Sequence, residues 1–361
     1  MEEPDYTPSK IELAKALREV KAIASPEQYA QVCNILASSP EGDVGKAIEG
    51  LTEEDEFALL CFLMGTATQL APIEQRLAVS GGHAAPDFLV RFQPGYSSKH
   101  ITAEHHIGFQ CFVEVKATVK DKLSFGGNQL RKLRAFADAF GFPLLLAVRF
   151  RRFNNSALWV IVEDRDRDKQ SLSVTIDDWI KGIRPVLWNE HGYLLIPGAY
   201  FQATYGGEAT GKQLYHRRYG EQIEFQIVTP KKRFTLHGDE ASISGGIFES
   251  YALEEVEIKQ HGALTYVLYK PHITILSVAD LIYGMNRLSR GENGNFTFDA
   301  ARTIRKLADR QSHGLTTREF VEFIADRLCH IGVLGRMGYG DPEEGFTKWL
   351  ATGGKDPSCQ S

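Results

Sequence analysis

The feature that most constrains this chain is the run Leu144 to Val148 (LLLAV), apolar at every position. Such a run reads as a strand covered on both faces, because a strand half in water alternates apolar and polar residues. It follows the segment NQLRKLRAFADAF, in which Leu130, Leu133, Ala137 and Phe140 recur at helical spacing and Gly141 stands where a C′ residue belongs. Upstream, FQCFVEVKAT (Phe109–Thr118) is rich in aromatic and β-branched residues and reads as a strand, as does Asp87–Phe92. Ile73–Val79, with Ser80-Gly81-Gly82 after it, reads as a short strand and a glycine turn. A helix is expected from Thr52, with Phe57, Leu60, Cys61 and Met64 on its apolar face. Glu53 to Glu56 would fill its first turn, where carboxylates complement the helix dipole. The order is helix, three strands, helix, strand: an α/β core of the form αβββαβ over residues 52–165.

Residues 1–51 form a helical segment, broken and restarted at Ser25-Pro26, since Ser suits an N-cap and Pro the first helical position. Ala157–Val162 adds a strand, and the charge run Glu163–Asp168 (EDRDRD) marks a boundary. Residues 166–290 then carry short apolar or alternating runs with glycine turns, such as GYLLIPG, EFQIVT and LTYVLYKPHITIL. These predict a mostly antiparallel β module, a sandwich or partly closed barrel. Residues 291–361 return to helix from Asp299, with Ile304, Leu307, Phe320, Phe323, Ile324 and Leu328 on one stripe.

Several function classes drop out. No run of 18 or more apolar residues is present, so no membrane-spanning helix is expected. The opening MEEPDYTPSK is acidic and shows neither a secretory signal nor an Arg-rich transit pattern. Five cysteines without paired spacing read as reduced thiols of a cytoplasmic protein, and no CxxC or HxxxH spacing suggests zinc. Gly206 to Lys212 (GGEATGK) is not a phosphate loop, since Gln213 follows the lysine. His100, His105 and His106 read as a solvated loop, with His83 the better candidate for a substrate contact.

The chemistry-bearing residues are Asp87, Glu114 and Lys116. Side chains alternate along a strand, so Glu114 and Lys116 share one face while Val113, Val115 and Ala117 take the other. Asp87, at the head of the preceding strand, can approach Glu114 if the two strands pair. Two carboxylates offer the hard oxygen ligands that suit Mg²⁺ or Mn²⁺. A lysine beside them can orient a nucleophile or neutralise charge on a phosphate. By itself the triplet also fits an i,i+2 ion pair on a solvated strand face; its place on consecutive strands of the αβββαβ order favours the metal site.

These residues resemble the PD-(D/E)xK nuclease superfamily, with its restriction-endonuclease-like fold, and within it the archaeal Holliday junction resolvase-like nucleases. The resemblance spans roughly residues 52–152. It rests on Arg76, Ser80-Gly81-Gly82, Pro86-Asp87, Glu114-Val115-Lys116 and Gln129 to Leu133 leading into PLLLAVRF. It implies that Asp87 and Glu114 are metal ligands, Lys116 the catalytic lysine, Gln129 a polar helix residue facing the site, and Ser80 a phosphate contact. Members also place a glutamate on the first helix, a role for which Glu56 and Glu74 compete here. The resolvases are small single-domain proteins, so more than 200 further residues set this chain apart.

Charge adds an independent indication. Between Val115 and Arg152 the chain carries nine basic and two acidic residues, against a net charge of −5 overall. Lys120, Lys122, Arg131, Lys132 and Arg134 form a basic face suited to a phosphate backbone. The leading expectation is a Mg²⁺- or Mn²⁺-dependent endonuclease acting on DNA, with the remaining modules serving substrate choice or dimerisation; a homodimer would suit two-strand cleavage. The alternatives are an inactive nucleic-acid-binding or scaffold protein on the same fold, and a signal-regulated restriction or defence nuclease.

Overall fold

The computed structural model describes residues 16, 17, 20, 24–37, 44–73, 83–92, 109–151, 158–164, 169–206, 215–216, 218–286 and 315–338. Helix α1 is Pro26–Ala37. Its first turn is held by Ser25, whose Oγ accepts from the Gln28 N–H at 3.3 Å while Gln28 Oε1 accepts from the Ser25 N–H at 2.9 Å. Helix α2 is Val44–Met64 and so starts well before Thr52. Val44, Ala47, Ile48 and Leu51 extend the helical spacing upstream. The acidic cluster Glu53 to Glu56 therefore lies mid-helix, not in a first turn. Gly65, at φ +67°, ends the helix in the left-handed conformation that glycine tolerates best.

Strands β1 (Ala67–Pro72), β2 (Phe88–Phe92), β3 (Phe109–Thr118) and β4 (Lys122–Phe125) follow, then helix α3 (Gly127–Phe140) and strands β5 (Leu144–Phe150) and β6 (Trp159–Glu163). The strand read at Ile73–Val79 is thus displaced to β1; residues 74–79 lie outside the described residues. The first sheet runs β1-β2-β3-β5-β6. Only β3 and β5 are parallel, joined by the α3 crossover; the other pairs are antiparallel. The αβββαβ order holds, with β4 as an added arm.

Both faces of this sheet are covered, as the uninterrupted run in β5 requires. Phe57, Leu60, Cys61 and Met64 of α2 pack with Cys111, Val113, Val115, Leu145 and Ala147. Leu130, Leu133 and Ala137 of α3 pack with Phe112, Leu146 and Val148 on the other side. Phe140 does not join that stripe: it is 59% exposed, touching Phe112 and Phe136 from outside at ring separations of 5.8 and 4.9 Å. Cys61 and Cys111 are free and buried.

The chain continues through β7 (Leu172–Thr175), which pairs with β4, short helices α4 (Asp178–Lys181) and α5 (Arg184–Leu187), and strands β8 (His191–Leu195), β9 (Tyr200–Tyr205), β10 (Tyr215–His216), β11 (Gly220–Val228) and β12 (Arg233–His237). Helix α6 (Gly238–Glu249), strands β13 (Leu253–His261), β14 (Leu264–Pro271) and β15 (Ile275–Ser277), helices α7 (Val278–Met285) and α8 (Arg318–His330), and strand β16 (Leu334–Gly338) complete it. The β module is an open antiparallel six-stranded sheet, β10-β11-β9-β14-β13 with β12 on β11, beside a three-stranded sheet β15-β8-β16. This corrects the expectation of a sandwich or barrel. Among the described residues one helix packs on a face of the large sheet: Phe248 of α6 lies 4.3 Å from Phe201 and 5.7 Å from Phe225, ring to ring.

In α8 the buried stripe is Val321, Ala325 and Leu328; Phe320 and Phe323 face outward, against expectation. One hydrophobic cluster runs from α2 through Trp159, Trp188 and Phe201 to Leu334, so the first sheet and the β module share a core. Among the described residues no helix is long and apolar enough to cross a membrane.

Candidate active site

The site forms where two strands stop keeping pace. Strand β2 pairs with β3 from Phe92–Phe109 to Phe88–Val113, while β3 runs on beside β5 to Thr118. From Glu114 onward, β3 has no β2 residue beside it. Asp87, one residue before β2, comes level with Glu114. Its Oδ2 accepts from the Val115 N–H at 2.7 Å, taking the place of the missing strand. The residue order Pro-Asp thus ends a strand and supplies a carboxylate at the same point.

Lys116 closes the triplet. Its Nζ lies 2.6 Å from Glu114 Oε1 and 3.9 Å from Asp87 Oδ2, and donates to the Val115 carbonyl at 3.0 Å. Gln129, in the first turn of α3, donates from Nε2 to Glu114 Oε1 at 3.3 Å. The alternation of β3 puts Glu114 and Lys116 on the α3 side, which is why this helix can reach them. Asp87, Glu114, Lys116 and Gln129 are therefore brought together.

Burial pushes the Glu114 carboxyl up from 4.5 to about 7, with the facing Asp87 carboxylate adding to the effect and Lys116 and Gln129 opposing it. For Lys116, burial works to lower the pKa, but Glu114 and Asp87 outweigh it, so the ammonium holds its proton above the usual lysine range. Glu114 Oε2 is buried and accepts no hydrogen bond. A buried carboxylate oxygen without a partner, with a second carboxylate on the same lysine, is what a divalent cation would satisfy, so the residues fit a hard metal ion. Among the described residues no three or more His, Cys, Asp or Glu side chains converge on one point.

Glu114 also makes stability depend on pH. A carboxyl whose pKa is higher in the fold binds its proton more tightly there, so its contribution is present below the unfolded value and is lost as pH rises. The metal-free protein is expected to lose thermal stability as pH rises from 4.5 to about 7, and Glu114→Gln to flatten that slope. A wild-type midpoint rising through this window would count against the site as described.

Glu56 is not among the residues gathered at the triplet. Glu56 Oε1 accepts from Arg149 Nε at 2.7 Å and from Trp159 Nε1 at 3.1 Å, on the α2 side of the sheet. Arg149 also donates to Tyr283 Oη at 3.2 Å. Glu53 pairs with Arg151 at 2.7 Å. Glu54 adds to the effects that raise the Lys116 pKa, behind Glu114 and Asp87. Glu74 and Ser80 lie outside the described residues.

The basic face is smaller than its count. Arg134 is held by Asp164 through two hydrogen bonds of 2.7 and 2.6 Å and donates to the Lys169 carbonyl at 2.7 Å. Arg134, Arg149 and Arg151 thus serve the fold. Lys120 and Lys122 are exposed, Arg131 is exposed with a 2.9 Å bond to Asn128 Oδ1, and Lys132 is half-buried.

No family model matches the chain, and no curated protein does. Among solved structures it is similar to Hjc, a Holliday junction resolvase from the archaeal hyperthermophile Archaeoglobus fulgidus, at 17% identity over 37% of this chain and 93% of that one, with a TM-score of 0.26.

Proposed function

We propose that the protein is a metal-dependent endonuclease that hydrolyses DNA phosphodiester bonds. The observation that carries this is the buried Glu114 Oε2, which has no hydrogen-bond partner, on a carboxylate whose other oxygen lies beside the Lys116 ammonium near Asp87. Asp87 and Glu114 would hold Mg²⁺ or Mn²⁺, which when bound supplies Lewis-acid polarisation of a phosphoryl oxygen. Asp87 is fixed for this by the Val115 N–H, and Glu114 by Gln129. Lys116 Nζ, which lies 2.6 Å from Glu114 Oε1, would meet the phosphate and neutralise charge developing on it. Lys120, Lys122, Arg131 and Lys132 would meet the backbone on either side.

The test is strand cleavage of plasmid and branched DNA by the full chain with Mg²⁺ or Mn²⁺, alongside Asp87→Ala. Cleavage lost in the variant while its thermal transition persists supports the reading. Equal cleavage by both proteins, or none by wild type with any divalent metal, sinks it.

Glu56→Gln is expected to lower thermal stability, since it breaks the contact to the buried Arg149, and to leave Mn²⁺ affinity by calorimetry unchanged. Weakened Mn²⁺ binding with unchanged stability would place Glu56 at the site.

A further inference from the structure

We infer that β13 is a homodimerisation edge, on which a second copy of this chain continues the six-stranded sheet across a twofold axis. This does not depend on the nuclease reading. Among the described residues, strand β13 forms one end of the sheet order and pairs with β14 alone, to which the two-residue link Gly262-Ala263 joins it. Every residue from Glu254 to His261 is exposed. Two of these are β-branched and apolar, Val256 at 52% and Ile258 at 41% exposure. An edge strand directs alternate N–H and C=O groups outward, so it is a template for another strand.

The charge order says which strand fits. Glu254, Glu255 and Glu257 precede Ile258; Lys259 and His261 follow it. Glu257 and Lys259 share a sheet face and lie 2.9 Å apart within the strand. In an antiparallel pair of two β13 strands centred on Ile258, Glu257 of each copy stands opposite Lys259 of the other. The acidic arm of one lies along the Lys259–His261 arm of the other, and Ile258 meets Ile258 on the opposite face. Centring on Glu257 or on Lys259 places like charges together at the axis. The self-complementary register is therefore a single one. The bulge at Val256 falls opposite Gln260 of the other copy, so the regular pairing is confined to Glu257–Lys259 of each.

The experiment is light scattering or sedimentation of the full chain over a concentration series, with six variants. Wild type is expected to move from one chain to two, and Ile258→Asp to remain at one chain with its thermal transition intact. Glu257→Lys or Lys259→Glu alone is expected to weaken association by about tenfold or more, by setting like charges opposite. The double variant E257K/K259E restores association. Ile258→Cys is expected to give a two-chain species on mild oxidation, since paired antiparallel strands place opposite Cα atoms about 4.5–5.5 Å apart, within disulfide reach; Gln260→Cys and wild type are not. A single-chain mass at every concentration overturns the inference. So does a two-chain mass indifferent to Ile258→Asp and without cross-linking at position 258.

Discussion

Replacing Lys116 by methionine is expected to lower metal-dependent DNA cleavage by about 10²–10³-fold at saturating metal, the usual cost of removing one preorganised group that meets developing charge. Methionine keeps the length of the side chain and removes its charge. On the proposed reading the effect should fall on kcat, because Lys116 is not among the residues that would hold the metal. Metal affinity should rise slightly or stay level, since the ammonium competes with the cation for Glu114 Oε1. Folding should survive, as Lys116 is only partly buried and its side chain is 37% exposed. Single-turnover cleavage with parallel metal titration separates these outcomes. A variant that loses metal binding and cleavage together would recast Lys116 as a structural partner of the carboxylates. A variant that cleaves at the wild-type rate would remove it from the chemistry.

The pH profile bears on the same group. Glu114 must give up its proton to accept a cation, and burial with the facing Asp87 places that proton near pH 7. Metal binding should therefore release a proton in the acid half of the range, and cleavage should rise with pH up to about neutrality.

How much of this was legible in the chain follows from where each signal is stored. Strand β3, helix α3 and strand β5 are readable because their signals are local and agree: a β-branched run, a helical stripe closed by Gly141, and an apolar run. The triplet Asp87, Glu114, Lys116 is readable because one strand's alternation and one strand's end bring it together. Strand β1 is not, since ATQLAP has low strand propensity and lies at a sheet edge, where proline is tolerated. Strand β13 was passed over for a related reason: LEEVEIKQH has the charges of an exposed edge. The commitment of Glu56 depends on Arg149 and, behind it, Tyr283, partners 93 and 134 residues away in sequence from Glu56 and Arg149 respectively. No local pattern carries such a pairing. The same holds for Arg134 and Asp164, which turn part of an apparent basic face into an internal tie.

The second large effect is structural. Glu190→Ala is expected to destabilise the protein by about 3–5 kcal/mol, because it strands a buried guanidinium. Arg184 is fully buried and Glu190 is 1% exposed. Arg184 donates to Glu190 Oε1 at 2.7 Å, to the Trp159 carbonyl of β6 at 2.8 Å and to Ser277 Oγ at 3.4 Å, while its guanidinium carbon lies 4.9 Å from the Trp188 ring centre. Ser277 is the N-cap of α7, where it forms a capping box with Asp280. The pair thus joins the last strand of the first sheet to the helix that packs beneath the β module. Burying two charges is itself costly, and Glu190 Oε2 finds no hydrogen-bond partner, so the loss belongs to breaking the pair and not to its net worth. The double variant R184M/E190L should recover most of it. Urea unfolding of the three proteins gives the comparison. A Glu190→Ala cost below about 1 kcal/mol, the scale of an exposed pair, would mean that water reaches Arg184 and that the two modules are not joined through a dry core.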